Sequence, residues 1–263
     1  MKIETFSHYQ NILSNIEGLP VYSALDPEVN FYIAGGYALA LIFAPRNETL
    51  MIDNNYYDDI DIYFEKQEEL EASIKRIKIQ KEIKIIEENE KWFVFELPTS
   101  ENVSYTFQFM KKLFNTSPSF FMEYDILNCC VAFSSKKNAF YYKTNAIEAT
   151  VAQVVERNKD FRYGDNYGDN ELKAITFAYR LNKYLARYKM KLSQSLHSKL
   201  LYSLIQNKGY KTTKQHDFRI SWSTNEMETV PEGFNIWKLY RYAFATNPKH
   251  VKYIAKFFQE ELQ

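Results

Sequence analysis

Two acids one residue apart, Asp59 and Asp61 in Asp58-Asp59-Ile60-Asp61-Ile62-Tyr63-Phe64, are the first residues whose types and spacing imply chemistry. On a strand, residues two apart point to the same face, so the two carboxylates project together while Ile60 points away. Carboxylates held this close repel one another unless something positive sits between them, and a hard divalent cation is the natural answer. Such a cation also bridges the oxygens of a triphosphate and stabilises phosphoryl transfer. Taken alone, Asp-x-Asp is equally what a solvated strand end presents. A second pattern precedes it: Phe31-Tyr32-Ile33-Ala34 runs into Gly35-Gly36 and then into Tyr37-Ala38-Leu39. A strand that turns through glycines into a helix offers backbone N–H groups at the helix start, where an anion can approach closely.

The elements that must position these residues follow from hydrophobic periodicity. Helices are expected over Glu4–Ile16, over Tyr37–Phe43 closed by Pro45, and over Glu65 to about Lys78. Strands are expected over Phe31–Ala34, Asp59–Phe64, Lys91–Leu97, Tyr105–Met110, Asp125–Phe133 and Ala139–Lys143, with Arg46–Asp58 as a polar loop beside the acids. Beyond them the pattern turns helical: Asn145–Arg157, then a Gly/Asp/Asn-rich loop at Tyr163–Asp169, then Glu171 to about Met190, Ser193–Ile205 and Phe234–Phe258. The expected class is α+β: a small mixed-sheet head, residues 1–157, and a C-terminal helical domain, residues 158–263.

A Gly-Gly turn opening a helix, followed within a few tens of residues by Asp-h-Asp on the next strand, resembles the DNA polymerase β-type nucleotidyltransferase superfamily. The resemblance implies that Gly35 and Gly36 hold a triphosphate and that Asp59 and Asp61 are catalytic ligands of Mg²⁺ or Mn²⁺. Within the superfamily the chain is similar to the head and neck of poly(A) polymerases and CCA-adding tRNA nucleotidyltransferases. Glu123-Tyr124-Asp125-Ile126-Leu127-Asn128-Cys129-Cys130-Val131 and Thr176-Phe177-Ala178-Tyr179-Arg180-Leu181 follow in the corresponding order. That order implies nucleotide contact for Arg180. Glu123 and Tyr124 stand where those families carry two arginines, and Asp165–Lys173 holds no counterpart of their base-selecting element. Many members add a third carboxylate on a later strand. Here that strand offers Gln108, which accepts a hydrogen bond but is no base near neutral pH. Asp125 or Glu96 would then supply the catalytic carboxylate from a neighbouring strand, or two carboxylates suffice, or the head is a catalytically degenerate binding module.

The 263 residues carry 33 basic and 33 acidic side chains and are 46% apolar, which excludes a disordered tail and a uniformly basic nucleic-acid coat. The neutral total hides a split. Residues 1–171 hold 17 basic and 27 acidic side chains, and residues 172–263 hold 16 and 6. On the helix expected from Glu171, Lys173, Arg180, Arg187 and Lys191 fall near one face, and the excess continues through Lys208, Lys211, Lys214, Arg219, Lys249, Lys252 and Lys256. A basic field beside an acidic metal site suits a polyanionic acceptor, RNA such as tRNA, although a solvated face has the same composition; the alternative is nucleotidylation of a protein or small molecule, as in antitoxin- or resistance-type relatives. The four histidines have no ligand spacing. Cys129 and Cys130 are adjacent, as in a buried reduced strand. No segment has the length of a membrane span and the first residues lack a secretory core, so a cytoplasmic enzyme acting on an NTP, with no membrane partner, is expected.

Overall fold

The computed structural model describes residues 19–26, 28–43, 59–98, 104–113, 121–122, 124–161, 170–187, 190–198, 211–219 and 227–236. The expected helix Glu4–Ile16, the loops Arg46–Asp58 and Tyr163–Asp169, nearly all of the expected helix Phe234–Phe258, and Lys208, Lys249, Lys252 and Lys256 lie outside the described residues. The chain divides into two compact units. The first takes Met1–Phe121 and Cys129–Lys143; the second takes Met122–Asn128 and Thr144–Gln263. The boundary read at residue 157 falls inside the second of these.

The expected class, α+β with a mixed sheet, is the one found. In the first unit a short helix α1 (Pro20–Ala24) precedes β1 (Phe31–Ala34), α2 (Gly35–Phe43), β2 (Ile60–Phe64), α3 (Gln67–Lys78), β3 (Lys84–Glu88), β4 (Trp92–Pro98), β5 (Ser104–Met110), β6 (Val131–Ser134) and β7 (Ala139–Tyr142). The strands form one seven-stranded sheet in the order β3-β4-β5-β2-β1-β6-β7. Only β2 and β5 run parallel; every other neighbouring pair is antiparallel. A parallel pair needs a long crossover, and α3 with β3 and β4 supplies it.

One face of this sheet is aromatic. Phe64, Phe93, Phe95, Phe107 and Phe109 are fully buried, with Phe95 and Phe109 in edge-to-face contact at 4.8 Å and Phe64 and Phe109 at 5.1 Å. Each such ring contributes roughly 1.5–3 kcal/mol by leaving water. Helix α3 lies on that face. It carries Glu68 and Glu69 in its first turn, Lys75, Arg76 and Lys78 in its last, and buries Leu70, Ile74 and Ile77. Acids at the start and bases at the end suit the helix dipole, and the apolar spacing is that of one stripe. Lys78 sits 5.6 Å from the Phe93 ring centre, which fixes the side on which the helix packs. By strand alternation, Asp59 and Asp61 project from the opposite face.

Where the chain passes from the second unit back to the first, the expected strand Asp125–Phe133 is interrupted. Leu127–Cys129 form a 3-10 turn and only Val131–Ser134 are extended, in β6. Asn128, 1% exposed, is the reason. Its Nδ2 donates to the Val154 carbonyl at 2.9 Å and to Thr150 Oγ1 at 3.2 Å, and its Oδ1 accepts from the Glu156 N–H at 3.1 Å. These bonds stand in for a ladder and pull the chain out of the sheet. The expected helix Asn145–Arg157 also ends early: α4 covers Thr144–Val151, Gln153 takes a left-handed φ of 56°, and β8 (Val154–Val155) follows.

The long helix α5 covers Asn170–Arg187, so it stops short of Met190. Lys191 is therefore not on it. It opens β9 (Lys191–Leu192), which pairs in parallel with β8, and the basic face expected on the helix loses its last member. The strands β10 (His216–Arg219) and β11 (Met227–Val230) form a hairpin-like pair, so the described part of the second unit mixes helix and strand. No helix among the described residues is long and apolar enough to cross a membrane.

Candidate active site

β1 is buried along its whole length and ends on Ala34, which lies opposite Asp61 of β2. Gly35 then takes φ +71°, a left-handed conformation that glycine adopts freely and an L side chain does not. This single dihedral swings the chain from the sheet into α2, whose Ala38, Leu39 and Ala40 are fully buried. A Gly35→Ala variant is expected to lose about 1–2 kcal/mol of stability from that conformation alone. Urea unfolding of wild type and variant measures it, and a loss below about 0.5 kcal/mol would show that the turn relaxes without cost.

β2 occupies an interior position of the sheet. Ile60, Ile62 and Phe64 are fully buried on the aromatic side, and this fixes the register that sends Asp61 to the other side, with Asp59 just before the strand. Both acids are half-buried. Asp61 is flanked by Ala34 on β1 and by Gln108 on β5. The small Ala34 leaves space on one side. On the other, Gln108 is 5% exposed; its Nε2 donates to Met110 Sδ at 3.2 Å, and its Oε1 is buried without a hydrogen-bond partner. The sequence pointed to Gln108 as the residue on the corresponding strand, but its placement beside Asp61 depends on the parallel pairing of two segments 47 positions apart.

Tyr32, two residues before Ala34 on the same face, donates its hydroxyl to Glu65. Burial, and then the Glu65 carboxylate, push the Tyr32 phenol well above its ordinary range, so it stays protonated and donating. Tyr141 of β7 packs edge-to-face on Tyr32 at 5.9 Å. Sequence reasoning missed this pair; no motif marks it.

The remaining expected residues are placed elsewhere. Glu96 lies on β4 across from Thr106 and is paired with Lys84 at 3.1 Å. Asp125 belongs to the second unit, where its two oxygens accept from Arg180 Nε at 3.0 Å each and Oδ1 also accepts from the Ile126 N–H. Arg180 further rests 5.8 Å from the Tyr184 ring centre. Asp125 and Arg180, read separately as a catalytic acid and a nucleotide or acceptor contact, are thus each other's partners. Lys173 is half-buried on α5, Arg187 ends that helix, and Lys191 is exposed on β9.

The oxygens that Asp59, Asp61 and Gln108 offer on this face of the sheet, two carboxylates and one buried amide, are all hard. Such a set fits Mg²⁺ or Mn²⁺ rather than zinc or a soft metal. Among the described residues, no group of three or more His, Cys, Asp or Glu side chains gathers to hold a metal.

A family model described as "Gad2: Gabija anti-defense 2 family protein" matches residues 4–153. Solved structures similar to the chain include two CCA-adding enzymes. One is the Thermotoga maritima CCA-adding enzyme complexed with tRNA, 11% identical, with a TM-score of 0.45 over 77% of this chain and 43% of that one. The other is a CCA-adding enzyme in complex with ATP, also 11% identical, with a TM-score of 0.48 over 97% of this chain and 51% of that one. The chain spans about half the length of each. No curated protein matches it.

Proposed function

Because the chain belongs to the Gabija anti-defense 2 family, we propose that it acts against its target by chemistry, as a nucleotidyltransferase that moves a nucleoside monophosphate from an NTP to an acceptor hydroxyl. The observation that carries this reading is the placement of Asp61 on an interior strand of the sheet, beside the Gly35 turn and next to an acceptor-only Gln108 oxygen. Asp59 and Asp61 would hold Mg²⁺, and the Gly35-Gly36 turn would present backbone N–H groups to the phosphates. Bound there, the cation supplies charge neutralisation for the triphosphate. In the transfer, the acceptor oxygen bonds to the α-phosphorus, the bond from that phosphorus to the bridging oxygen breaks, and pyrophosphate leaves. The acceptor proton passes to solvent or to a base.

RNA such as tRNA is the acceptor that the charge of residues 172–263 favours, with Lys173 and the lysines that follow it as its contacts. A second reading, transfer to a protein or small molecule of the Gabija defence, is favoured by the family description and by Arg180, which is committed to Asp125. One experiment separates them. The purified chain is incubated with α-labelled NTPs and Mg²⁺ or Mn²⁺, once with total tRNA and once with the Gabija components. Label on RNA is expected, lost progressively as salt rises; label on the defence components alone decides for the second reading. No label in either mixture sinks the enzymatic reading.

A further inference from the structure

On the polar face of the sheet, the positions around Gln108 are Val94 across on β4, Asp61 across on β2, and Thr106 and Met110 along β5. Val94 offers nothing polar. Met110 takes the amide N–H, which orients the group and leaves Oε1 over. Asp61 is the one ionisable residue among these four positions, and an ionised carboxylate only accepts. Two acceptors therefore stand side by side on adjacent strands, whose spacing is about 4.8 Å. A buried carbonyl oxygen left without a donor costs roughly 1–3 kcal/mol. Something positive or hydrogen-donating must meet it when the site is in use.

Resting on the reading of Asp59 and Asp61 as cation ligands, we infer that Gln108 Oε1 is a third and neutral oxygen donor to the same divalent cation. The donor set then carries a charge of minus two rather than the minus three of three carboxylates. Ligand charge sets affinity for hard cations, so the site binds one cation weakly by itself and firmly only when NTP phosphates add their own oxygens. Metal and nucleotide arrive together, and a second cation is not held in the absence of nucleotide. Gln108 is on this view a positioning ligand and not a base.

The test reads Mn²⁺ binding to the full chain, by the free-ion paramagnetic resonance signal, with and without a non-hydrolysable NTP analogue. Wild type is expected to bind one Mn²⁺, more tightly with the analogue. Gln108→Leu should weaken binding by about tenfold, while its thermal midpoint without metal stays equal or rises, because a partnerless polar group has left the interior. Gln108→Glu, nearly isosteric, should tighten Mn²⁺ binding about tenfold without nucleotide. Unchanged Mn²⁺ affinity in both Gln108 variants, with affinity lost in Asp61→Asn, overturns this assignment and leaves the carboxylate reading standing. Equal binding by wild type and Asp61→Asn overturns both.

Discussion

Asp61→Asn is expected to keep the fold and to lose nucleotidyl transfer by about a thousandfold or more. The substitution is isosteric and its site is half-buried between Ala34 and Gln108, so no cavity forms. It replaces a carboxylate by a neutral amide of the same shape, and the metal-free variant should unfold within about 1 kcal/mol of wild type. On the proposed reading, the loss falls on the charge that would hold the cation. Electrostatic stabilisation of this kind supplies several kcal/mol, and about 4 kcal/mol corresponds to a thousandfold in rate. Initial rates of pyrophosphate release, with thermal midpoints measured in chelator, separate the two effects. Activity within about tenfold of wild type would show that Asp61 is no part of the machinery.

A larger effect on stability is expected at Glu171, in the first turn of α5. Its carboxylate accepts from the Thr213 N–H with both oxygens at 2.9 Å and lies 2.8 Å from His216 Nε2, and Glu171 and His216 are both buried. Burial works to raise the Glu171 pKa. The bonds from His216 and Thr213 outweigh it and hold the carboxyl below its usual range. Glu171→Ala leaves a buried ring nitrogen and a backbone N–H without their acceptor, at a cost of about 3 kcal/mol. The sign with pH follows from the lowered value. An unfolded glutamate titrates near pH 4.3, so the stabilisation is complete above that and is lost as pH falls through the lower folded pKa. Urea unfolding should show the full gap between wild type and variant at pH 7 and a narrowing gap below about pH 4. A gap under about 1 kcal/mol at pH 7 would mean that water replaces the carboxylate.

Most of the candidate site is local in sequence, and for that reason it was legible. Gly35-Gly36 and Asp59-Ile60-Asp61 each lie within a few residues, and the glycine φ and the two-residue strand period convert directly into geometry. The strands around them were legible too, because Phe93, Phe95, Phe107 and Phe109 sit in short β-branched and aromatic runs, with Gln108 alternating between the last two. What escaped depends on distant partners. Asn128 looks like one more strand residue until Thr150, Val154 and Glu156 are brought to it, and its bonds then end the strand. Arg180 looks like a free cation on a basic stripe until Asp125, 55 positions away, takes its Nε. His216 has no ligand spacing, yet it is matched to a glutamate 45 positions earlier. Lys191 shows the reverse error. The 3.6-residue period extends past the point where pairing with β8 takes over.

The path of the chain between its two units has a consequence for synthesis. β1 carries the Gly35 turn at its end and has β2 on one side and β6 on the other, yet β6 and β7 are made only after Met122–Asn128 have been given to the second unit. A chain growing from the ribosome therefore completes β1 through β5 with the outer edge of β1 still open, and every residue of that strand is buried in the finished fold. An open, buried-type strand is a template for pairing with another copy. The edge of β1 is covered only once residue 134 has emerged, so a fragment cut at residue 121 ends with the wrong edge exposed, whereas one reaching residue 143 holds every strand of the sheet. Nascent chains paused between these two points are where aggregation during expression is to be sought.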